Sequence, residues 1–336
     1  MKRARHALIL GTVSAAAAIG ALSAQATAPG TNGELVFRRY FDATHHSGAI
    51  FTVAPNGARV RQITHPARGV LDNVPDWSPD GMRIAFQRVD PNGCGKGCET
   101  DEILVVARGA KSIVRVAYDA VGKGCFERGR SAGGSCRNAP GWSPNGKTIV
   151  FTCESWPKGQ RICVVNADGS GLRQLVQTPG SGESDDWAQW APSGTRLTVQ
   201  RRIGNRRAVF VIDADGTHPR RLTPWALRGG EPDWSPGGDR ILFTSNQDGP
   251  ASVSANLYTV RPDGSGLTQL THARGGSVQY LSASFSPDGD WITAARTPGT
   301  GKAGNADVFV MRADGTDLRR VTRSEAWDSS TDWGQR

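Results

Sequence analysis

Four arginines hold one position of a recurring pattern and could read an anion. Arg39, Arg88, Arg201 and Arg296 each end a short apolar run, and Cys153 and Ser245 hold the matching places in two further copies. RRIGNRR (201–207) adds more positive charge beside one of them. A guanidinium group suits carboxylate or phosphate because it donates two parallel hydrogen bonds to two oxygens. The competing reading is solvated strand ends, or salt bridges to acids such as Glu99, Asp101 and Asp185. A second column is acidic. Asp76, Asp233 and Asp332 each stand just before a tryptophan, and Gln189 and Ser284 occupy that place before Trp190 and Phe285. Converging carboxylates can hold a cation through oxygen. They can equally cap backbone groups or hold water, and the expectation is no metal and no other cofactor.

The six cysteines all lie within residues 94–163. An even number in an exported chain favours disulfides. Cys94 and Cys98 share one loop, Cys125 and Cys136 share another, and Cys153 and Cys163 face each other across a hairpin. The expected bridges are therefore 94–98, 125–136 and 153–163. A zinc site is disfavoured because histidines at useful spacing are missing.

Other motifs resemble chemistry without its context. Gly129-Arg130-Ser131-Ala132-Gly133 matches the nucleophile-elbow pattern, but that pattern needs a strand–turn–helix setting. Asp213-Ala214-Asp215-Gly216 resembles the start of a calcium loop. Its counterparts in other repeats are ordinary hairpin turns and no distal glutamate follows. His65 and His272 hold equivalent places after a repeated strand, and His45-His46 has no evident partners.

The elements that would position these residues are short strands. DWSPDGMRIAFQR (76–88) recurs at 141–153, 189–201, 233–245 and 284–296, and DWGQR (332–336) is a broken copy. A second segment, such as AVFVIDADGTHPRRLT (208–223), follows each first one. Each unit reads as four strands, a to d. A Ser-Pro-Asp-Gly turn joins a to b, a variable loop joins b to c, and an Ala-Asp-Gly turn joins c to d. Proline presets one dihedral and glycine supplies the backbone freedom of both turns. The aromatic markers Trp77, Trp142, Trp190, Trp234, Phe285 and Trp333 recur every 44 to 65 residues, which signals a repeat architecture. Four-stranded units of this length predict an all-β, six-bladed propeller. GELVFRR (33–39) begins in mid-repeat and DWGQR ends in mid-repeat, so N- and C-terminal strands should complete one blade together. Strand a would line the channel. The short a–b and c–d turns would lie on one face, and the variable b–c and d–a loops on the other.

The Trp-Ser-Pro-Asp-Gly turn followed by Ile-Ala-Phe resembles the WD40-like repeat of TolB-type propellers. The resemblance covers about residues 33–336. It implies the fold, while the same repeat serves many roles. No α/β domain is expected before the repeats, so the Tol-system role is not carried over. The repeats also resemble the propeller half of prolyl oligopeptidase-type peptidases, whose α/β-hydrolase half is not expected here.

Compartment follows from the first residues. Lys2, Arg3 and Arg5 precede an apolar stretch (7–24), and Ala24-Gln25-Ala26 fits signal cleavage after Ala26. Residues 1–26 are expected to be a secretory signal and 27–336 one propeller domain, exported to the cell envelope or beyond. The net charge of +9 includes three signal-peptide cations. The remaining basic bias suits anionic envelope polymers, but no basic run interleaved with aromatics argues for nucleic acid. No integral membrane span is expected after signal removal, and the chain is expected to be a monomer. The preferred function is a binding scaffold that recognises a protein or anionic envelope polymer through its disulfide-stiffened variable-loop face, without chemistry. The alternative is a propeller-type lyase or hydrolase with a site at the channel mouth, so enzymatic activity stays open.

Overall fold

The computed structural model describes residues 29–93, 99–110, 112–120, 137–154, 160–175, 182–245, 255–274, 278–298 and 305–336. Residues 1–26, expected to be a signal, Cys94, Cys98, Cys125, Cys136 and the 129–133 motif lie outside the described residues.

Strands account for nearly all the regular structure; a single 3-10 turn, Trp225–Leu227, is the only helical element among the described residues. The inner strands a are Leu71–Trp77, Arg137–Trp142, Glu183–Trp190, Gly229–Trp234, Gln279–Phe285 and Asp328–Gln335. Each packs against the inner strand of the next repeat, and Asp328–Gln335 packs back on Leu71–Trp77. The first described strand, Asn32–Tyr40, pairs antiparallel with the last, Asp328–Gln335, from Asn32 opposite Gln335 to Arg39 opposite Asp328.

The expectation of six separate four-stranded blades is corrected by the hydrogen bonding. Four sheets have four strands each, but the remaining strands form one eight-stranded sheet. The junction lies at Gly48. Strands Gly48–Val53 and Leu71–Trp77 meet in a parallel pairing of Gly48 with Leu71, and the Gly48 N–H donates to the Val70 carbonyl at 3.4 Å. A β-carbon at 48 would lie 2.7 Å from the Arg39 carbonyl oxygen within its own hairpin and 3.1 Å from Leu71 Cδ1 on the joined strand, so glycine relieves crowding on both sides of the junction.

The Ser-Pro-Asp-Gly turns close in one way. Arg83 N–H donates to Ser78 Oγ at 2.9 Å, and Thr148, Arg240 and Trp291 repeat this on Ser143, Ser235 and Ser286. The core lies between neighbouring sheets. Trp142, Ile149 and Phe151 pack on Ile103 and Val105 of the preceding unit, and Trp77 and Phe86 pack on Val36 and Ile50 across the eight-stranded sheet. The indole N–H groups of Trp77, Trp142, Trp190, Trp234 and Trp333 are buried without acceptors, so these rings stabilise through apolar contact rather than hydrogen bonding.

Candidate binding face

Strand alternation and the repeat bring the acidic column to the channel. Asp76 Oδ2 accepts a hydrogen bond from the Trp142 N–H, Asp233 Oδ2 from the Phe285 N–H and Asp332 Oδ2 from the Trp77 N–H, each at 2.8 Å. Ser284 Oγ donates to Asp332 Oδ1 at 2.7 Å. Each carboxylate thus ties its own inner strand to that of the following repeat. Burial pushes the Asp233 carboxyl from 3.8 to about 7. Burial, with the neighbouring Asp332 charge adding to it, pushes Asp76 well upward, and burial also raises Asp332. Gln189 Oε1 lies where a β-carbon on residue 141 would come within 2.6 Å, so Gly141 leaves room for it. The cavity beside these groups measures about 30 Å³, which is water-sized rather than substrate-sized. Among the described residues no group of three or more His, Cys, Asp or Glu side chains is placed to hold a metal ion.

Towards the variable-loop end every inner strand carries a bulge. Val74, Ala139, Trp187, Glu231, Ser282 and Ser330 have φ between 43° and 53°, and the strand register slips at each. This left-handed conformation costs on the order of 1–3 kcal/mol at each non-glycine residue. Side chains satisfy the N–H groups that the bulge turns away: Ser282 N–H donates to Glu231 Oε2 at 2.7 Å and Trp187 N–H to Thr152 Oγ1 at 3.2 Å.

The arginine column sits on the variable-loop side, and most of it is internally paired. Arg39 forks onto Asp328 at 2.7 and 2.8 Å, Arg88 onto Asp72 at 2.6 and 2.8 Å, and Arg201 onto Asp185 at 2.7 Å through both nitrogens. Arg296 instead lies near the rings of Tyr280 and Phe309, 5.8 and 5.3 Å from their centres. Cys153 and Cys163 form a disulfide with a Cα separation of 5.7 Å, across the strands Thr148–Glu154 and Gln160–Asn166. The turn at Asp213–Gly216 is an ordinary hairpin: Asp213 N–H donates to the Thr217 carbonyl and Asp215 Oδ1 accepts from the Thr217 N–H, both at 2.9 Å. His46, His65 and His272 are exposed.

The structure adds a cluster that the sequence columns did not single out. Tyr40 stacks on His45 with ring centres 4.2 Å apart, and His45 tilts against Trp327 at 4.9 Å. The buried Arg38 guanidinium lies 4.1 Å from the Tyr40 ring centre and donates to Asn73 Oδ1 and Ser329 Oγ. Trp327 Nε1–H also donates to Ser329 Oγ, at 3.1 Å. One signal was present in the sequence: Arg38 stands where the other repeats place Gln87, Thr152, Gln200, Thr244 and Ala295.

No family model matches the chain. A TolB homolog of Chlorobium luteolum is 30% identical over 285 residues, covering 84% of this chain and 56% of that protein. The chain therefore spans little more than half the length of that relative. An uncharacterized protein of Agrobacterium fabrum is 24% identical over 67% of this chain and 85% of its own length. The crystal structure of TolB from Acinetobacter baumannii superposes with a TM-score of 0.70 at 16% identity, over 92% of this chain and 68% of that one, a likeness of fold. With the Trp-Ser-Pro-Asp-Gly repeats and the closed circle of inner strands, the chain belongs to the TolB-type β-propeller family.

Proposed function

We propose that the protein is an exported binding scaffold that docks a protein partner on its variable-loop face. The observation that carries this reading is the Tyr40–His45–Trp327 cluster seated over Arg38. Half-buried tyrosine and tryptophan rings backed by a fixed arginine have the composition and rigidity of an interface hot spot. Arg38 and Ser329 lock the rings from below, so little side-chain freedom is lost on binding. Export to the cell envelope is supported by the basic-then-apolar start of the sequence and its Ala24-Gln25-Ala26 site.

The test is retention of envelope proteins on the immobilised, oxidised protein, with a Trp327→Ala variant in parallel. A partner held by the parent and weakened about tenfold or more by the variant supports the reading. Equal retention by both overturns it. Retention that survives protease treatment of the extract but not removal of its glycans assigns the face to an anionic polymer instead.

A further inference from the structure

We propose that Arg296 anchors a carboxylate-binding pocket on the variable-loop face, left open because Tyr280 stands where three sister repeats place an aspartate. Strand register makes the comparison strict. Arg39 lies opposite Asp328, Arg88 opposite Asp72, Arg201 opposite Asp185, and Arg296 opposite Tyr280. The three aspartates are buried and fork onto their arginines. Among the described residues Arg296 makes no ion pair, and its Nε is buried without a hydrogen-bond partner. Residues 299–304 contain no acid that could serve.

The sister repeat around Arg88 extends the parallel. There Arg88 lies opposite Glu102 on the next strand, and Glu102 pairs with Arg115 at 2.6 Å. Here Arg296 lies opposite Asp307, and Asp307 pairs with Arg320 at 2.5 Å. Arg115 lies opposite Leu104, and Arg320 holds the equivalent place opposite Phe309. Asp72, Arg88, Glu102 and Arg115 are balanced in charge. Tyr280, Arg296, Asp307 and Arg320 carry one positive charge in excess.

The cavity beside Arg296 measures about 390 Å³ and is lined by Arg296, Asn305, Asp307, Phe309, Arg320 and Ser324 together with the exposed Glu325. Its two acids match its two guanidiniums in number, but Asp307 is taken by Arg320, which leaves Arg296 as the anion-accepting group. The volume is that of a small-ligand site. A guanidinium flanked by two aromatic rings and short of hydrogen-bond acceptors favours a planar anion that accepts two bonds at once. The ligand class is a carboxylate, since that is what the same arginine position binds in the sister repeats. Its source is either a free organic acid or an acidic side chain of the partner. This inference rests on the binding-scaffold reading only for its biological use, because the pocket is tested without any partner.

The experiment titrates the full oxidised chain with glutarate, with a capped Gly-Glu-Gly peptide and with inorganic phosphate, followed by calorimetry. The expected result is binding of glutarate or the peptide, weakened about ten- to a hundredfold by Arg296→Gln. Tyr280→Asp should weaken it equally, by restoring the internal fork, with the melting temperature kept or raised. Tighter binding of the peptide than of glutarate assigns the pocket to a partner side chain, and the reverse assigns it to a free acid. No binding of either carboxylate, binding of phosphate alone, or undiminished binding by Arg296→Gln or by a folded Tyr280→Asp overturns the proposal. Loss of partner capture in Trp327→Ala leaves these titrations unchanged, so the two readings fail separately.

Discussion

On the short-turn face Ser78, Ser143, Ser235 and Ser286 each accept a backbone N–H five residues on, at 2.8 to 3.0 Å. On the opposite face the strands end differently from repeat to repeat: a forked ion pair at Arg39, a disulfide at Cys153, a serine at Ser245 and, at Arg296, a guanidinium with no ion pair among the described residues. One face repeats a solution and the other departs from it. Where one turn geometry must be met, four turns use the same serine, and the fifth, at Ala191, keeps the backbone closure alone, its N–H donating to the Arg196 carbonyl at 2.8 Å. Where strand ends only have to be satisfied, many chemistries serve, and that freedom is available for recognition.

The comparison breaks most sharply in the core beneath the turns. Trp234 is only 1% exposed, so Trp234→Ala is expected to destabilise by about 3–5 kcal/mol. Denaturant unfolding measures this, and a loss under 1 kcal/mol would mean that the aromatic column does not hold the sheets together. The next largest effect is pH-dependent. The folded Asp233 carboxyl titrates at about 7 against an ordinary 3.8, so the folded state holds a proton that the unfolded chain has already released. Stability from this group is therefore full below pH 3.8 and falls as pH rises to about 7, by up to about 4 kcal/mol. Asp233→Asn keeps an acceptor for the Phe285 N–H and should flatten that fall, which melting temperatures across the range would show. Reducing the Cys153–Cys163 bridge, whose partners are 10 residues apart, should cost about 2–3 kcal/mol, with the turn face unaffected in hydrogen exchange. Smallest is Ser78→Ala, which strips the Arg83 N–H of its acceptor for about 1 kcal/mol. A similar cost for Ser143→Ala would sharpen the claim that the turns are interchangeable.

The repeats were legible because turn chemistry is local. Serine, proline and glycine at fixed offsets dictate the hairpin wherever they occur, and the 153–163 bridge followed from strand pairing across one hairpin. The joining of two sheets through Gly48 and Leu71 was not legible, because it depends on a close approach between segments 23 residues apart that no periodicity marks. The arginine column could be read as a column, and Asp185 as an acid able to pair with it, as it does with Arg201, but not which arginine each acid faces. Asp72, Asp185 and Asp328 lie on the preceding inner strand, and only register shows which acid faces which base. Arg38 and Trp327 escaped notice because one is a departure from a column and the other falls between columns, 289 residues apart in sequence.

The closing pair of strands has a mechanical consequence. Thr31 and Arg336 meet at one end of that pair, where the Arg336 N–H donates to the Thr31 carbonyl at 3.0 Å. A pull that separates these two residues loads the hydrogen bonds one after another rather than all together. The seam opens as a zipper does, at low force, from Asn32 and Gln335 inward. The forked contact of Arg39 with Asp328 stands at the far end and acts as the last clasp to give way.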